Sequence, residues 1–596
     1  MTGAIPFSAA EQTIHGRFDD IAFTLPDMPA VSDSEHSMTY NELMLASNKM
    51  ANIILGILGP GRGNIGVYSE NNVFQVIAIL GILKSGRSYL PLDTSFPPGR
   101  NRAFVEDAGC RMIVCSQKDE AAAREISADA ILVAADNMEP GLPESIPRLV
   151  TQASENAITL YTSGSTGKPK GVLQSHRNMV HFIRRMSEAH PIYPSDKTGY
   201  FLSFGFSGHA LPLLGALLNG SELVAYHFRS GNFWEFSSWL KRSNVSFTMM
   251  IPSFLRHFLA VQEKKSSFPD LRMVFFGGES LYRNDIEKAR RVFGKKVIMV
   301  NIYASTEAYL MRSYTIRHDT IIKSNIVPIG YPVEGMELSI VGKDGEDTKG
   351  YQAGEIMLRS EYVTEGYHNN PELQEKDFKT DPLNERIRIF NTSDMGYFME
   401  DGCMVHLGRR DAVVKLRGQR IDLGEVVNYL LQGNDVKEAT CTLKTDPSGN
   451  EHLVGYIVPV EGCSIDEEYH KALLIRMLPD YMIPSHILLI DQVPKNEVGK
   501  IDTEALPEPV WDKDRSAEKQ AAENETEEKL VSIFEKTLKI SPIGTNENFL
   551  RLGANSLNLF VALSEVEKQF DTKIDIKTAV ETPDIRSLAG YILKNK

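Results

Sequence analysis

Through roughly the first 400 residues, short apolar runs alternate with stretches of helical periodicity. Ile65–Tyr68, Met112–Cys115, Ile131–Ala134, Met273–Phe276 and Lys296–Val300 are short, apolar and often β-branched, the composition of buried strands. Asn71–Leu83 and Asp285–Phe293, lying between them, predict helices. That rhythm predicts a mostly parallel α/β architecture. From Gly354 to about His406 the pattern becomes strand-rich, with Gly and Asp at the turns. From Asp411 to about Leu506 a mixed pattern returns, and a smaller α+β subdomain is expected. Pro507–Glu525 is polar and charged with two prolines at its start, a linker composition. Beyond it, Leu530, Ile533, Phe534 and Leu538 recur at helical spacing, and so do Leu559, Leu563, Val566 and Phe570. These predict a small helical bundle near the lower size limit for independent folding. The expected units are therefore 1–410, 411–506, a linker at 507–525, and 526–596.

Length and composition agree with several ordinary globular units. The 596 residues are 42% hydrophobic and 24% charged, enough apolar material for sizeable cores. A net charge of −14 argues against a general nucleic-acid coat. Cys110, Cys115, Cys403, Cys441 and Cys463 form no CxxC and no zinc spacing. So few cysteines make a disulfide framework improbable and fit a reducing cytoplasm. The first residues, MTGAIPFSAAEQTI, lack the basic and apolar regions of a signal peptide. Apolar stretches such as Val73–Leu83 are too short to span a bilayer, so neither membrane insertion nor secretion is expected.

The strongest local signal is Tyr161-Thr-Ser-Gly-Ser-Thr-Gly-Lys-Pro-Lys-Gly171, after a strand-like run at Ala157–Leu160. Small residues let backbone N–H groups approach a phosphate, hydroxyls add donors, and Lys168 and Lys170 add charge. The spacing is not that of a Walker A loop.

This string resembles the phosphate-binding loop of the adenylate-forming superfamily, which includes acyl-CoA synthetases, luciferases and peptide-synthetase adenylation domains. Further motifs of that family follow in its order. They are Leu83–Asp93, Asn301-Ile-Tyr-Ala-Ser-Thr-Glu307, Gly354-Glu355 with Thr364–Tyr367, Asn391-Thr-Ser-Asp394, Gly408-Arg-Arg-Asp411 with Val414–Gly418, and Pro494–Lys500. Ala304-Ser305 replaces the usual Gly-Pro, a mild departure. The resemblance covers residues from about 38 to 506. Asn548–Leu557 resembles the attachment motif of a peptidyl carrier domain, with Ser556 the residue that takes 4'-phosphopantetheine. Gly553-Ala-Asn departs from its usual Gly-Gly-His or Gly-Gly-Asp. The fold implied is a large, multi-subdomain α/β portion, a smaller α+β subdomain and a four-helix-type carrier bundle.

The resemblance implies a two-step ligase of nonribosomal peptide synthetase type. A carboxylate attacks the α-phosphate of ATP, and a thiol then displaces AMP. Lys500 is implied to bridge carboxylate and α-phosphate, Glu307 to bind Mg²⁺, and Thr306 to sit beside the AMP phosphate. Thr162, Ser163, Gly164, Ser165, Thr166, Gly167, Lys168, Lys170, Tyr303, Asp394 and Arg409 are implied ATP and AMP contacts, with Asp394 on the ribose hydroxyls. Asp411 is the implied hinge about which the small subdomain rotates between the two steps, bringing the Arg417-Gly418 loop to the thiol tunnel.

Phe204–Leu211 aligns with a family motif read Phe-Asp-x-Ser, whose Asp pairs with the ammonium group of α-amino acids. Here that position is Gly205. The implied acid pocket is Gly205, Phe206, His209, Met250, Phe275, Gly277, Ile302, Leu310 and Met311, apolar with two glycines that make room. An acid without an α-ammonium group is therefore expected: aryl, aliphatic, keto, hydroxy or, with an acid elsewhere, β-amino. His209 reads equally as a donor to substrate or as a packed core histidine.

No HHxxxDG condensation string and no GxSxG thioesterase string occurs, so a free-standing adenylation–carrier didomain is expected. Implied partners are a phosphopantetheinyl transferase, a downstream condensation, ketosynthase or tailoring enzyme, and a small MbtH-like helper protein; nucleic acid and membrane are not expected. Competing readings are an acyl-CoA ligase using free CoA, which a fused carrier disfavours, and a non-catalytic scaffold, which intact Lys500, Glu307 and Asp394 disfavour.

Overall fold

The computed structural model describes residues 3–594 apart from 9–10, 140, 148, 163–168, 229–232, 263–267, 325, 343–345, 349, 410–412, 417–418, 432–434, 447–450, 461–464, 466, 495–500, 502, 512–519, 539–540, 548, 550–555, 571, 573, 575–577, 579–581 and 583. Two large sheets organise the N-terminal portion. In the seven-stranded sheet, Ser88–Leu92, Asn64–Tyr68, Met112–Cys115 and Ile131–Ala134 run parallel, and the hairpin of Asn156–Thr162 and Lys170–Ser175 closes one side. In the nine-stranded sheet, Ile298–Ser305, Met273–Phe276, Phe247–Met250, Lys197–Tyr200, Glu222–Ala225 and Pro29–Ser32 are neighbours and parallel.

The helix Val73–Lys84 shows why its apolar run is so continuous. Nearly every side chain on it is buried, so it has no water-facing stripe. Its one interior polar residue, Gln75, is satisfied by Tyr200, whose hydroxyl donates to the side-chain oxygen at 2.8 Å. One core joins both sheets and the helices packed on them. No helix among the described residues is long and apolar enough to cross a membrane.

A five-stranded antiparallel sheet follows, built from Glu337–Val341, Gly354–Ser360, Arg388–Phe398, Phe378–Thr380 and Met404–Arg409. The small subdomain has its own core around the sheet of Val436–Thr445, Glu451–Pro459 and His486–Leu489, with the helices Leu423–Leu430 and Glu467–Met477. The C-terminal bundle holds the helices Glu525–Leu538, Ser556–Phe570 and Ile585–Lys594 around a third core. All eight residues read from helical spacing lie in that core. The bundle is seated on the large subdomain. Val561 packs against the large core, and the Lys568 ammonium lies 5.0 Å from the centre of the Trp234 ring.

Candidate active site

Ligands of parallel α/β sheets bind beyond the carboxyl ends of the strands. Four neighbouring strands of the nine-stranded sheet end with the residues singled out in the sequence. Lys197–Tyr200 leads to Gly205, Phe206 and His209; Phe247–Met250 ends in Met250; Met273–Phe276 contributes Phe275 and leads to Gly277. Ile298–Ser305 carries Ile302 and Tyr303 and leads to Thr306 and Glu307. The next strand, Tyr309–Ile316, returns antiparallel with Leu310 and Met311, Leu310 standing opposite Ala304.

Glu307 is buried and ion-paired to Lys170, Nζ to Oε1, at 2.9 Å. The Lys170 ammonium also donates to the Tyr367 hydroxyl at 2.7 Å and lies 4.1 Å from the centre of that ring. Tyr367 in turn donates to Asp377 at 2.8 Å. Thr162 and Lys170 face each other across the hairpin, so the two ends of the glycine-rich loop are held together beside Glu307. Thr306 is buried, and its carbonyl accepts from Gln174 at 2.7 Å. The result is a buried, charge-rich corner at the ends of the glycine-rich loop, in which ammonium and carboxylate sit in low dielectric and act strongly on each other.

A second polar corner lies on the antiparallel sheet. Ser393 has φ +57°, a left-handed conformation unusual for a residue with a Cβ. Asp394 follows it, with its amide held by Thr392 and its carboxylate buried. The Tyr303 hydroxyl donates to Asp394 Oδ2 at 2.6 Å, and His406 Nε2 stands 3.7 Å from Oδ1. A cavity beside Tyr303 is lined by Gly278, Glu279, Asn301, Ala304, Val327 and His406. Asp394 and Arg409 are paired across neighbouring strands.

The acid positions are tightly packed. Met250, Phe275, Leu310 and Met311 are fully buried. The two glycines do not leave empty space. A Cβ at Gly277 would lie 2.7 Å from Ile302 Cγ1, and one at Gly205 would lie 2.5 Å from Phe96 Cζ. Neighbouring side chains have moved into the volume that the missing side chains vacate, which corrects the expectation that these glycines make room. The Asp93 carboxylate accepts from Ser203 Oγ and, at 3.0 Å, from the Gly205 amide, and also from the amide and hydroxyl of Ser95.

His209 is a packed core histidine. Its Nδ1 lies 2.8 Å from the Phe206 carbonyl and its Nε2 lies 3.2 Å from the Tyr89 hydroxyl. Burial lowers its pKa to about 4, against the opposing pull of the Phe206 carbonyl and Asp93. The ring is therefore neutral at pH 7, with Nδ1–H donating to the carbonyl and Nε2 accepting from the tyrosine.

Ser163–Lys168, Asp411, the Arg417-Gly418 loop and Lys500 lie outside the described residues. Ser556 is the first residue of its helix. Sequence reasoning gave no role to Tyr367, Asp377, His406, Asp93 or Phe96. Tyr367, Asp93 and Phe96 stand in or beside quoted motifs, a signal that was available; Asp377 ends the short helix Pro371–Asp377 ten positions after Tyr367, and His406 is brought in by strand pairing.

Residues 18–368 match the family described as AMP-binding enzyme, and residues 528–592 match the phosphopantetheine attachment site. The chain belongs to the AMP-binding enzyme family. Gramicidin S synthase 2 of Brevibacillus brevis is 31% identical over 98% of this chain and 13% of its own length. Bacitracin synthase 3 of Bacillus licheniformis is 31% identical over 98% of this chain and 9% of its own. The chain thus spans only a small part of each of these much longer synthases. Among solved structures, holo-PA1221, an NRPS protein containing adenylation and PCP domains bound to a vinylsulfonamide inhibitor, superposes with a TM-score of 0.82. It shares 21% identity, over 98% of this chain and 97% of that one. The two matched units make this AMP-binding enzyme an ATP-using, adenylate-forming ligase joined to a phosphopantetheine carrier domain.

Proposed function

We propose that the chain activates a carboxylic acid lacking an α-ammonium group and loads it onto its own carrier. The observation that carries this reading is the environment of Gly205. There is no carboxylate on that residue, the Phe96 ring occupies the space beside it, and the Asp93 carboxylate that touches its amide already accepts four hydrogen bonds. An ammonium there would find no carboxylate on residue 205 and would reach that of Asp93 only in competition with those four donors, a poor arrangement for a buried charge.

In the first step a carboxylate oxygen bonds to the α-phosphorus of ATP and pyrophosphate leaves. In the second the carrier thiolate bonds to the acyl carbon and AMP leaves. Lys500 bridges the carboxylate and α-phosphate, and Lys170 and the glycine-rich loop neutralise phosphate charge. Asp394 accepts from the ribose hydroxyls beside Tyr303. Glu307 is a hard oxygen donor, the kind Mg²⁺ takes, so this corner suits the Mg²⁺ that accompanies ATP. Ser556, opening a 15-residue helix, carries the phosphopantetheine arm installed by a transferase. A downstream enzyme of a natural-product assembly line takes the thioester.

Intact-protein mass spectrometry of the phosphopantetheinylated chain tests this. ATP and Mg²⁺ are supplied with 3-methylbutanoate, benzoate, 4-methyl-2-oxopentanoate, 3-aminobutanoate and L-leucine in parallel. The expected result is an acyl adduct on Ser556 from an acid other than L-leucine. Exclusive loading of L-leucine would falsify the reading of Gly205, and acylation of free CoA in preference to Ser556 would overturn carrier loading.

A further inference from the structure

The helix Pro98–Asp107 of the large subdomain lies against the small one. Arg100 Nη1 donates to Glu425 Oε1 at 2.8 Å, across 325 positions of sequence. Both side chains are almost wholly enclosed, at 5% and 0% exposure. Glu425 sits in the first turn of Leu423–Leu430, and its helix belongs to the small subdomain's own core. Next to Arg100, a Cβ on Gly99 would lie 3.2 Å from the Arg476 carbonyl oxygen and 3.5 Å from Met477 Sδ, so the second helix of the small subdomain presses here too. On its other side the Arg100 guanidinium stands 5.5 Å from the Phe96 ring centre and 5.4 Å from that of Phe104. Phe96 is the ring that fills the space beside Gly205.

A buried ion pair is a poor source of net stability, because desolvating both charges offsets their attraction. Its best-attested use is to select one arrangement over others, since separation leaves each charge without its partner. Here the two charges belong to bodies with separate cores. A rotation of the small subdomain that carried Leu423–Leu430 away would break the pair and strip the cover from Gly99. The contact therefore behaves as a detent for one pose.

We propose that Arg100 and Glu425 are positioning residues that seat the small subdomain, and that Phe96 makes this seat bear on the floor of the acid pocket. The inference rests on the contact between the subdomains and is independent of which acid is activated.

Hydrogen–deuterium exchange of the full chain without ligands tests it. Glu425→Gln keeps the shape and removes the charge. Exchange at 98–107, 423–430 and 467–477 should rise about tenfold, as a shift toward a locally opened state requires. The strands Met273–Phe276 and Glu451–Pro459 should keep wild-type rates. The reciprocal pair Arg100→Glu with Glu425→Arg should bring the three segments back toward wild type. Phe96→Ala, a change on the pocket side, should raise exchange at 423–430. Unchanged exchange in Glu425→Gln overturns the seat. So does a rise spreading through 436–445 and 451–459, which would mean that Glu425 holds the small subdomain's own fold. A folded reciprocal variant that stays loosened also overturns it, and no response to Phe96→Ala removes the link to the pocket.

Discussion

In the large subdomain, the residues implied for the acid and nucleotide come from five strands of one sheet and from two further sheets; Tyr303 reaches Asp394 across 91 positions. Buried among them are groups that water would otherwise solvate: the Lys170–Glu307 pair, Asp394 and His209. In the carrier bundle the apolar core is drawn mostly from three helices that repeat their apolar residues every third or fourth position, joined by Ile543, Phe549 and Ile574. Its residues 526–596 contain no histidine at all. A reacting centre needs charges held dry and aimed, and only long-range closure supplies that. A shuttle needs only to stay folded while its attachment point stands clear, and a few amphipathic helices suffice.

The sharpest way to separate the two regions is chemical. Ser556→Ala should leave pyrophosphate release intact and abolish the covalent acyl adduct. Lys500→Ala should do the opposite: release falls by at least about 100-fold while the transferase still modifies Ser556. Mass spectrometry and pyrophosphate release read both, and near-normal release in Lys500→Ala would refute that assignment.

A milder cut is made by packing. Leu563 is buried in the bundle core, and Leu563→Ala should cost about 2–5 kcal/mol there. A unit of this size has only about 3–5 kcal/mol to spare. The carrier should therefore unfold, lose modification by the transferase and become protease-sensitive, while adenylation continues. Loss of both activities together would show that the large subdomain depends on its passenger.

Acid should produce the most graded difference. Burial holds the pKa of His15, His190 and His209 down to about 4, and that of His181, helped by Arg185, down to about 3. In the unfolded chain each titrates near about 6.5. Because the folded values are the lower ones, stability is full above about pH 6.5 and is lost as pH falls toward 4, by roughly 1–2 kcal/mol per histidine at pH 5. Calorimetry from pH 7 to pH 5 should lower the large-subdomain transition more than the carrier's. Equal shifts would mean that carboxylates, common to both, govern the response.

Much of this difference was legible beforehand. Met112–Cys115, Ile131–Ala134 and Met273–Phe276 appear as strands at the predicted residues, because a parallel strand announces itself as a short apolar run; the first and third are buried, and the second lies at the edge of its sheet. The predicted strand at Lys296–Val300 is instead Ile298–Ser305. Its extension through Tyr303 is stabilised by pairing with Tyr309–Arg312, which the local apolar pattern does not encode. Thr162, Lys170 and Ser305 fall at strand ends, where order along the chain and chemistry agree, whereas Asp394 lies inside Arg388–Phe398. What the sequence hid was occupancy: that Phe96 and Ile302 fill the space beside two glycines, and that His209 spends both ring nitrogens on Phe206 and Tyr89. Those are three-dimensional facts about neighbours, and the residue types alone allowed either outcome.

The seating of the carrier against Trp234 has one more consequence. The chain has only three tryptophans, and Trp239 is buried while Trp234 is partly exposed under the Lys568 ammonium. Its indole emission depends on that cation and on the water around it. With Trp239 and Trp511 replaced by phenylalanine, the colour and lifetime of Trp234 become a built-in gauge of how often the carrier is docked, readable in milliseconds and without any attached dye.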